Sequence, residues 1–473
     1  MEKTRLLSLF RTLNNKENRG MQLFLASPFF NKRSEVSLLF DYLVDTIHTY
    51  QLIPTKDKAF KYIVSKQKEH LEYDDQQMRL WMRFLLKAIE KFLLQQKLFV
   101  DEVQNKKHLA TIYRERNLPK LQERTLKELQ SLQGKSTFRN VSYYETNFDI
   151  QNEQYYLLTA TARMSDLNLQ DLSDNLDIIF VAKKLRQFCL ALSHQSVYKT
   201  SYHFGMLEEI LSYVESSELT KIPVVAVYYY AYQTMAEKTE STYFKSFKES
   251  ITNYGEQFSS EELRDLYILA INYCIKKYNE GERKFLKDQF ELYQHGLAKK
   301  LLFVNNRLSR FSFRNIATIG IVQKEFEWVD NFIVDYKSKL AKKYQESMVS
   351  FCMAQLEYSR KNYDTALQLL QKSEYKDLLL NLAAKTLQLK IFYELQAFDL
   401  LIAHLEAMTV FIRRKKVMGY HQTNYLNLIQ FTKRLIETNP YDKNALVVLR
   451  NEIAATKAVA QKDWLSAIAE AIA

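Results

Sequence analysis

The sequence predicts an all-α protein, an α-solenoid of stacked antiparallel helical hairpins preceded by an N-terminal helical bundle. Three observations predict this class. The 473 residues include only 8 glycines and 5 prolines, so the chain lacks the residues that usually punctuate sheets and tight loops. Aromatic residues make up 13% of the chain, which is typical of ring packing between helices. A short amphipathic pattern also recurs at a fixed interval between about residues 313 and 411.

The recurring pattern places an aromatic residue, followed within two positions by an aspartate, near the start of successive helices. Trp328, Tyr363 and Phe398 are these aromatic residues, and both 363 − 328 and 398 − 363 equal 35. A period of this length indicates a helical-repeat architecture, in which each pair of helices buries its apolar face against the next pair. The interval therefore predicts equivalent places for the three rings in successive layers.

The middle repeat is the most complete of the three. It predicts one helix, A, over residues 343–359 and a second helix, B, from about Asn362. Two antiparallel helices joined by a short loop cross closely, so a small side chain is needed at each crossing point. Ala354 and Ala366 supply these small side chains, and Leu370 follows on helix B as a larger apolar residue.

This arrangement resembles the tetratricopeptide repeat. Ala354 matches the small position of that family's helix A, Ala366 matches the small position early in helix B, and Leu370 matches the later large position. The sequence departs from the family where Lys361 replaces the turn glycine and where Leu401 replaces the helix-B alanine of the next unit. The resemblance implies a stack of helical hairpins that holds another protein.

Over its whole length the chain also resembles a family of uncharacterised bacterial helical-repeat proteins. The matching segments are residues 27–32, residues 172–178, residues 263–278 and the pair Trp464-Leu465. This resemblance implies a cytoplasmic protein with tetratricopeptide-like repeats, and it implies no particular activity.

Three segments are expected along the chain. Residues 1–135 are predicted as the N-terminal helical bundle, residues 136–312 as solenoid-like helical hairpins, and residues 313–473 as the tetratricopeptide-like repeats with C-terminal capping helices. The strongest helix of the bundle begins at Asp74, a favourable helix-capping residue. Its apolar stripe, at spacings of three and four, is formed by Met78, Trp81, Leu85, Ala88 and Phe92.

Positive charge exceeds negative charge, and the excess is concentrated in two stretches. The formal net charge is +12 at pH 7, and residues 292–324 and 407–435 contain no acidic side chain. The candidate binding residues in these stretches are Lys299, Lys300, Arg307, Arg310, Arg314, Arg413, Arg414, Lys415 and Lys416. They form either a basic stripe for an acidic partner or nucleic acid, or solvated helix ends whose cations complement the helix dipole. The second interpretation is preferred.

Cysteine usage and hydropathy predict a cytoplasmic location. Cys189, Cys274 and Cys352 are widely separated and lie within apolar helical patterns, as reduced buried cysteines do. The residues after Met1 are not expected to serve as a signal peptide, because Arg5 and Arg11 interrupt a short apolar run. The longest apolar stretch, residues 222–232, is too short to cross a bilayer, and no membrane partner is expected.

Known catalytic and metal-binding motifs are missing from the sequence. Gly134-Lys135-Ser136 matches the end of a phosphate-binding loop, but Leu129 stands where that motif needs an earlier glycine. The His-Glu-x-x-His, Gly-x-Ser-x-Gly and Cys-x-x-Cys motifs are also absent. We therefore predict no enzyme activity, no cofactor, and no catalytic, cofactor-binding or metal-binding residues.

The repeat pattern predicts a non-enzymatic scaffold for protein–protein interaction, whose partner is a protein or peptide held on the curved inner face of the stack. The alternative is a basic helical-repeat protein that binds RNA. A 35-residue period also suits pentatricopeptide-type RNA readers, and both basic stretches fall in the repeat half of the chain. A hydrolase or transferase with an unfamiliar site is the third possibility.

Overall fold

Helices dominate the protein. The computed structural model describes residues 1–68, 70–161, 167–198, 200–236, 241–372, 374–414 and 420–472. Helix accounts for 79% of the structure and strand for 1%, which confirms the predicted all-α class. No helix of the described residues is both long enough and apolar enough to span a bilayer.

The chain divides into two compact units, Met1–Lys183 and Lys184–Ala473. The helices of the first unit are α1 (Arg5–Phe10), α2 (Asn15–Ala26), α3 (Ser34–Leu43), α4 (Lys56–Gln67), α5 (Asp75–Val100), α6 (Glu102–Glu115), α7 (Pro119–Lys135) and α8 (Val141–Thr161). A π-helical segment, Val44–Thr49, follows α3. Helix α9 (Leu169–Val197) runs from the first unit into the second.

The second unit contains the remaining helices and one small sheet. Its helices are α10 (Leu207–Ser216), α11 (Pro223–Met235), α12 (Ser241–Asn253), α13 (Ser260–Asn279), α14 (Phe285–Ala298), α15 (Arg310–Val322), α16 (Phe326–Tyr336), α17 (Lys342–Ser359), α18 (Tyr363–Gln371), α19 (Leu378–Glu394), α20 (Phe398–Arg414), α21 (Tyr420–Glu437), α22 (Lys443–Ala455) and α23 (Lys462–Ile472). Short 3₁₀ turns span Glu218–Lys221, Gly255–Gln257 and Lys337–Lys339. The strands are β1 (Phe303–Val304) and β2 (Arg307–Leu308).

One of the two predicted segment boundaries lies at the end of a helix, and the other lies within a helix. The first boundary, after residue 135, coincides with the end of α7, whereas the second, after residue 312, falls inside α15. The boundary between the two compact units, after Lys183, lies within α9. The division into three segments stays a prediction, because compactness does not test whether each segment folds alone.

The first five helices enclose a shared core, in which α5 packs against α1, α2, α3 and α4. The carboxylate of Asp74 caps α5, accepting the backbone N–H groups of Gln76 and Gln77 at 2.8 and 3.3 Å. The predicted apolar stripe of α5 is buried along its whole length, so this helix and its contact face were predicted correctly. Phe40 is fully buried in this core, where its ring meets Phe10 edge to face at 5.5 Å.

Four hairpins of the second unit share one turn geometry: α13/α14, α15/α16, α17/α18 and α19/α20. The left-handed residues of the four turns are Gly281, Lys324, Lys361 and Gln396, with φ of 98°, 62°, 66° and 56°. In the third hairpin, the N–H of Lys361 bonds to the Tyr358 carbonyl and the N–H of Asn362 bonds to the Glu357 carbonyl, at 3.0 and 2.8 Å. The other three turns repeat both bonds. This Schellman pattern satisfies the last carbonyls of each first helix.

The turns test the two predicted 35-residue intervals. The interval from Trp328 to Tyr363 joins residues that do not occupy equivalent positions in their hairpins. Tyr363 and Phe398 each lie two positions after the left-handed residue of their turn, whereas Trp328 lies four positions after Lys324. Phe326 is the true equivalent of Tyr363, so the predicted register was wrong by two residues in this hairpin. The two turns lie 37 residues apart, from 361 − 324. Phe326 and Trp328 both lie near the start of α16, so residue spacing alone could not show which of them is equivalent to Tyr363.

Trp328 has a different role from the two rings with which it was aligned. Its ring meets Phe290 of α14 edge to face at 4.9 Å and stacks on Phe332 of its own helix at 5.5 Å. It therefore joins the α15/α16 hairpin to the preceding hairpin. By contrast, the rings of Tyr363 and Phe398 contact Tyr358 and Tyr393 of their own hairpins.

Three positions counted from the left-handed turn residue are buried in three successive hairpins. The position seven residues before the turn is the crossing point of the first helix, and the positions five and nine residues after it face inward from the second helix. They are occupied by Ala317, Val329 and Ile333 in α15/α16, by Ala354, Ala366 and Leu370 in α17/α18, and by Leu389, Leu401 and Leu405 in α19/α20. None of the nine side chains is more than 2% exposed. The burial predicted for Ala354, Ala366 and Leu370 is confirmed.

The extensive helix contacts within the second unit join helices that are adjacent or next but one along the chain. Next-but-one contacts link α11 with α13, α15 with α17, α17 with α19, and α21 with α23. Contacts of this kind bring α15, α17 and α19, the first helices of three consecutive hairpins, side by side.

The small β-hairpin was not predicted from the sequence. Phe303 pairs with Leu308 and Val304 pairs with Arg307. The two residues between the strands, Asn305 and Asn306, have φ of 50° and 60°, as a type I′ turn requires. Two asparagines flanked by apolar residues were the local signal for this turn, because asparagine tolerates the left-handed region.

Candidate interaction surface

The second unit has two kinds of helix end. The turn edge carries the left-handed turn residues Gly281, Lys324, Lys361 and Gln396. The connector edge lies at the other ends of the same helices, where one hairpin is joined to the next. Because neighbouring helices run in opposite directions, the ends of α14 and α16 and the starts of α15 and α17 all lie at the connector edge.

Two consecutive connectors touch each other at the connector edge. The Lys339 ammonium donates a hydrogen bond to the Asn306 side-chain carbonyl at 2.9 Å, which fixes the α16–α17 connector against the tip of the β-hairpin. The rings of Phe303 and Tyr336 stack between the same two segments at 5.9 Å. These contacts hold the β-hairpin against residues 336–339, and the end of α14 and the start of α17 flank these segments in the chain.

This surface is strongly basic. Residues 292–324 and 336–345 contain no acidic side chain. We call the cluster of cations the connector surface, and it consists of Lys299, Lys300, Arg307, Lys337, Lys339, Lys342 and Lys343. All seven are exposed except Lys339, which is half-buried. None of the seven forms an ion pair with a described residue, and the nearest acids along the chain are Asp335 and Glu346.

Four of these lysines were not singled out from the sequence. Lys337, Lys339, Lys342 and Lys343 lie within seven consecutive positions that contain no acid, and that local density was the available signal. The search for acid-free stretches missed them because Asp335 and Glu346 stand close on either side. Their proximity to Arg307 depends on the packing of one hairpin against the next, which sequence spacing does not report.

Arg310 is engaged inside the protein. Its guanidinium pairs with the Asp377 carboxylate at 3.1 Å and lies 4.5 Å from the ring centre of Tyr344 and 4.7 Å from that of Phe311. Asp377 is also the N-cap of α19, where it accepts the backbone N–H of Leu380 at 2.9 Å. Arg310 thus ties together the starts of α15, α17 and α19, and its charge is already balanced by a carboxylate.

Arg314 also contacts a neighbouring hairpin. Its guanidinium lies 5.5 Å from the ring centre of Phe351 on α17, and its side chain is half-buried. A cation over an aromatic face is stabilised by the ring quadrupole. The structure therefore separates the first predicted basic run into two inward-facing arginines, Arg310 and Arg314, and three exposed cations, Lys299, Lys300 and Arg307.

Lys299 affects the protonation of the half-buried His295, one turn earlier in α14. Burial and the nearby charge of Lys299 lower the pKa of His295. The Tyr267 hydroxyl lies 2.5 Å from Nδ1 of His295, and a neutral imidazole can accept its proton at that nitrogen. Lys300 follows in the left-handed conformation, with φ of 57°, and ends α14 with the same pair of backbone hydrogen bonds as the four hairpin turns.

The second predicted basic run is only partly described by the structure. Arg413 and Arg414 are exposed at the last turn of α20, where positive side chains complement the negative end of the helix dipole. Lys415 and Lys416 lie outside the described residues. The binding role of this second run stays a prediction.

The buried ionisable groups serve packing. The three cysteines are buried as predicted, and burial raises the pKa of each thiol. Tyr228 donates a hydrogen bond to the Glu262 carboxylate at 2.7 Å, and both side chains are buried. No group of three potential metal-binding side chains occurs in the described part of the chain.

The second unit also has an open groove of about 530 Å³ between α12 and α14, whose lining includes the rings of Phe244 and Phe285. Its central cation, Lys248, already bonds to Asp288 at 2.7 Å and to Glu291 at 2.5 Å. This cation is therefore paired within the protein, unlike the cations of the connector surface.

Comparisons with protein-family models, with curated proteins and with solved structures found no match for this chain. The resemblances to the tetratricopeptide repeat and to the bacterial helical-repeat family therefore remain predictions that rest on the residues quoted for them.

Proposed function

We propose that this chain is a non-enzymatic scaffold that binds another protein on a solenoid of tetratricopeptide-like helical hairpins. The observation that carries this proposal is the recurrence of one hairpin in α15/α16, α17/α18 and α19/α20. The three hairpins share a left-handed turn residue and three buried positions at the same offsets from it. A repeated unit that buries its apolar face against its neighbours forms an extended surface suited to holding a partner.

The pattern of helix contacts supports the stacked arrangement. In a closed bundle, helices that are distant along the chain meet around a shared core. Between α11 and α20 the extensive contacts stop at the next helix but one, as expected when each repeat touches only its neighbours. Helices α19 to α23 share one core, which suits a cap at the end of such a stack. Such a stack leaves the faces and edges of many helices available to one elongated partner.

The proposal is tested by cross-linking the tagged full-length chain to its partners in extract from its native cells. We expect one protein to be recovered in stoichiometric amount after nuclease treatment, with cross-links to the hairpins between α13 and α20. Recovery of no stoichiometric protein under conditions that preserve weak complexes would contradict the scaffold.

The connector surface favours a second candidate function, binding of single-stranded RNA. The surface has seven cations without ion-pair partners among the described residues, and Phe311, at the start of α15, is 61% exposed. Lysine and arginine neutralise phosphates in a strongly salt-dependent way, and an exposed ring can stack on a base. A gel shift with single-stranded RNA at low salt tests this candidate, and the absence of a shift would exclude it.

A further inference from the structure

The connector surface differs from the turn edge in how many acidic residues lie beside its cations. At the turn edge, Arg360 pairs with Glu357 at 2.8 Å and with Asp330. Farther along the chain, Arg434 pairs with Glu452. The seven cations of the connector surface make no such pair within the described residues. A group of like charges without counter-charges repels itself, so an external group of opposite charge relieves repulsion at this surface. At the turn edge, Glu325 and Asp364 stand close to Lys324 and Lys361 in the sequence, so the gain expected there is smaller.

The connector surface is carried by ordered backbone. The type I′ turn fixes Arg307 on a two-stranded hairpin, and the hydrogen bond from Lys339 to Asn306 holds the neighbouring connector against it. Lys300 sits in a hydrogen-bonded helix end, where its own N–H bonds to the Leu297 carbonyl at 2.9 Å. Cations on an ordered backbone lose less conformational entropy on binding than cations on a flexible tail.

The aromatic rings near the surface are already occupied on at least one face. Phe303 stacks on Tyr336, and Tyr344 lies beneath both the Arg310 guanidinium and the Lys343 ammonium, at 4.5 and 4.9 Å from the ring centre. Single-stranded nucleic acids gain much of their binding energy by stacking bases on free ring faces. Phe311, the exposed ring at the start of α15, also carries the Arg310 guanidinium 4.7 Å from its centre. The engagement of these rings favours a ligand recognised by its charge.

The predominance of lysine over arginine also favours a ligand recognised by its charge. Six of the seven residues are lysines and one, Arg307, is an arginine. Lysine presents a compact point charge, whereas arginine presents the planar fork that matches phosphate in two places. Several separate lysine ammonium groups match separate carboxylates along an extended chain.

We propose that the connector surface binds an acidic segment of the partner protein, in which clustered aspartate and glutamate carboxylates pair with these seven cations. This inference rests on the proposed scaffold function and names the chemistry of the partner. The acidic segment lies across the β-hairpin and the α16–α17 connector, at the ends of the helices and not on the curved face of the stack.

A binding titration with the full-length chain tests the inference. The probe is a fluorescent peptide in which glutamates alternate with glycines, and its control has glutamine at every glutamate position. We expect the acidic peptide to bind at low ionic strength and the glutamine peptide not to bind. Binding should weaken as salt is raised, because the Debye length falls from about 30 Å at 0.01 M to about 10 Å at 0.1 M. Equal binding of both peptides would overturn the proposal.

Charge-reversal variants locate the site. The double variant Arg307→Glu, Lys342→Glu should weaken binding of the acidic peptide by roughly tenfold or more, because two attractive pairs become repulsive. Both side chains are exposed, and Lys342 is the first residue of α17, where a glutamate suits the positive helix end. The fold of the variant is therefore expected to survive, and circular dichroism and a thermal melt check this.

The matched control is the double variant Lys324→Glu, Lys361→Glu at the turn edge. It changes the net charge by the same amount, and both lysines are exposed residues of the same unit. We expect its peptide binding to stay within about twofold of the wild-type value, less than about 0.4 kcal/mol. A loss equal to that of the connector variant would show that the peptide responds to overall charge, which would overturn the proposed site.

Two further outcomes separate this inference from the proposed function. A single-stranded RNA of matched charge that binds more tightly than the peptide, and that is lost in the connector variant, would overturn the acidic-segment proposal in favour of nucleic acid. A stoichiometric protein partner whose cross-links avoid the connector surface would also overturn it, while the scaffold function would stand. A failure to recover any protein partner would contradict the scaffold itself.

Discussion

The N-terminal bundle and the hairpins of the second unit bury their apolar side chains in different ways. In the bundle, the single helix α5 contacts all four preceding helices, so one core is shared by α1 to α5. Between α11 and α20 of the second unit, the extensive contacts of each helix end at its next-but-one neighbour, whereas α19 to α23 again share one core. The bundle therefore concentrates its stability in a common core, whereas the hairpins distribute stability over successive interfaces.

This difference predicts how far the effect of a mutation extends. Loss of packing in a shared core weakens every helix that contributes to it. Loss of packing at one interface of a stack weakens the two hairpins on either side, because more distant repeats make no direct contact. Amide hydrogen exchange distinguishes the two cases, since it reports opening element by element.

The largest expected effect is Phe40→Ala in the bundle. Phe40 is fully buried, and truncation of such a ring costs about 3–5 kcal/mol. Hydrogen exchange should accelerate together across α1 to α5. Phe29→Ala is the matched control, because Phe29 is 86% exposed, and its effect should stay below about 0.5 kcal/mol. Faster exchange confined to α3 would show that the bundle lacks a shared core.

Ala354→Phe should have the next largest effect. Ala354 is fully buried at the helix crossing of α17/α18, and overpacking of such a site costs about 1–3 kcal/mol. Exchange should accelerate in α15 to α20 and stay unchanged in α11 and α12. Glu346→Phe, on the exposed side of the same helix, is the control for adding a ring. Equal acceleration in α11 and α12 would mean that the second unit opens as one cooperative body.

A smaller effect is expected at the turns, where two substitutions should act in opposite directions. Lys361 has φ of 66°, so Lys361→Gly relieves left-handed strain and should raise the free energy of unfolding by about 0.5–1 kcal/mol. Gly281 has φ of 98°, so Gly281→Ala should lower it by about 1 kcal/mol. Chemical denaturation measures both values. Changes of the same sign would show that the turns are not equivalent.

The smallest effect is a dependence of stability on pH. Burial is the main cause of the lowered pKa values of His295 and His404, whose ordinary value is 6.5. An unfolded histidine then takes up its proton at a higher pH than the folded one. Stability is therefore fully present above about pH 6.5 and declines as pH falls from 6.5 through the folded pKa values. The denaturation midpoint, measured above and below pH 6.5, reports this decline.

His295→Gln should reduce that pH dependence, because a glutamine carbonyl can accept the Tyr267 hydroxyl without titrating. The paired carboxylates with lowered pKa values, such as Asp75 and Glu128, respond only below their ordinary values of 3.8 and 4.5. They do not contribute between pH 6.5 and about 5. An unchanged pH dependence in the variant would contradict the assignment to His295.

Sequence reasoning was most successful for features that depend on the residues of a single helix or hairpin. It identified Asp74 as the start of α5, the buried stripe of that helix, and the burial of Ala354 and Ala366. Each of these features depends on spacing within a helix or a hairpin. It failed for Trp328, because two aromatic residues lie near the start of α16 and their packing partners belong to another hairpin. It also missed the β-hairpin around Asn305, whose signal occupies two residues.

The candidate surface was predicted only in part. Lys299, Lys300 and Arg307 were named from an acid-free stretch, and they are exposed at the connector edge. Arg310 was named for the same reason, yet it pairs with Asp377, which lies 67 residues farther along the chain, from 377 − 310. Charge counts in a sequence cannot distinguish an exposed cation from a paired one when the pairing acid is distant.

By itself, the sequence determined the helical class and the inward-facing positions of the hairpins, because helical periodicity and capping act over a few residues. The tertiary structure decided which lysines share a surface, which arginines are neutralised, and which aromatic residues are equivalent. These outcomes depend on how one hairpin packs against the next, which brings together connectors separated by an entire pair of helices.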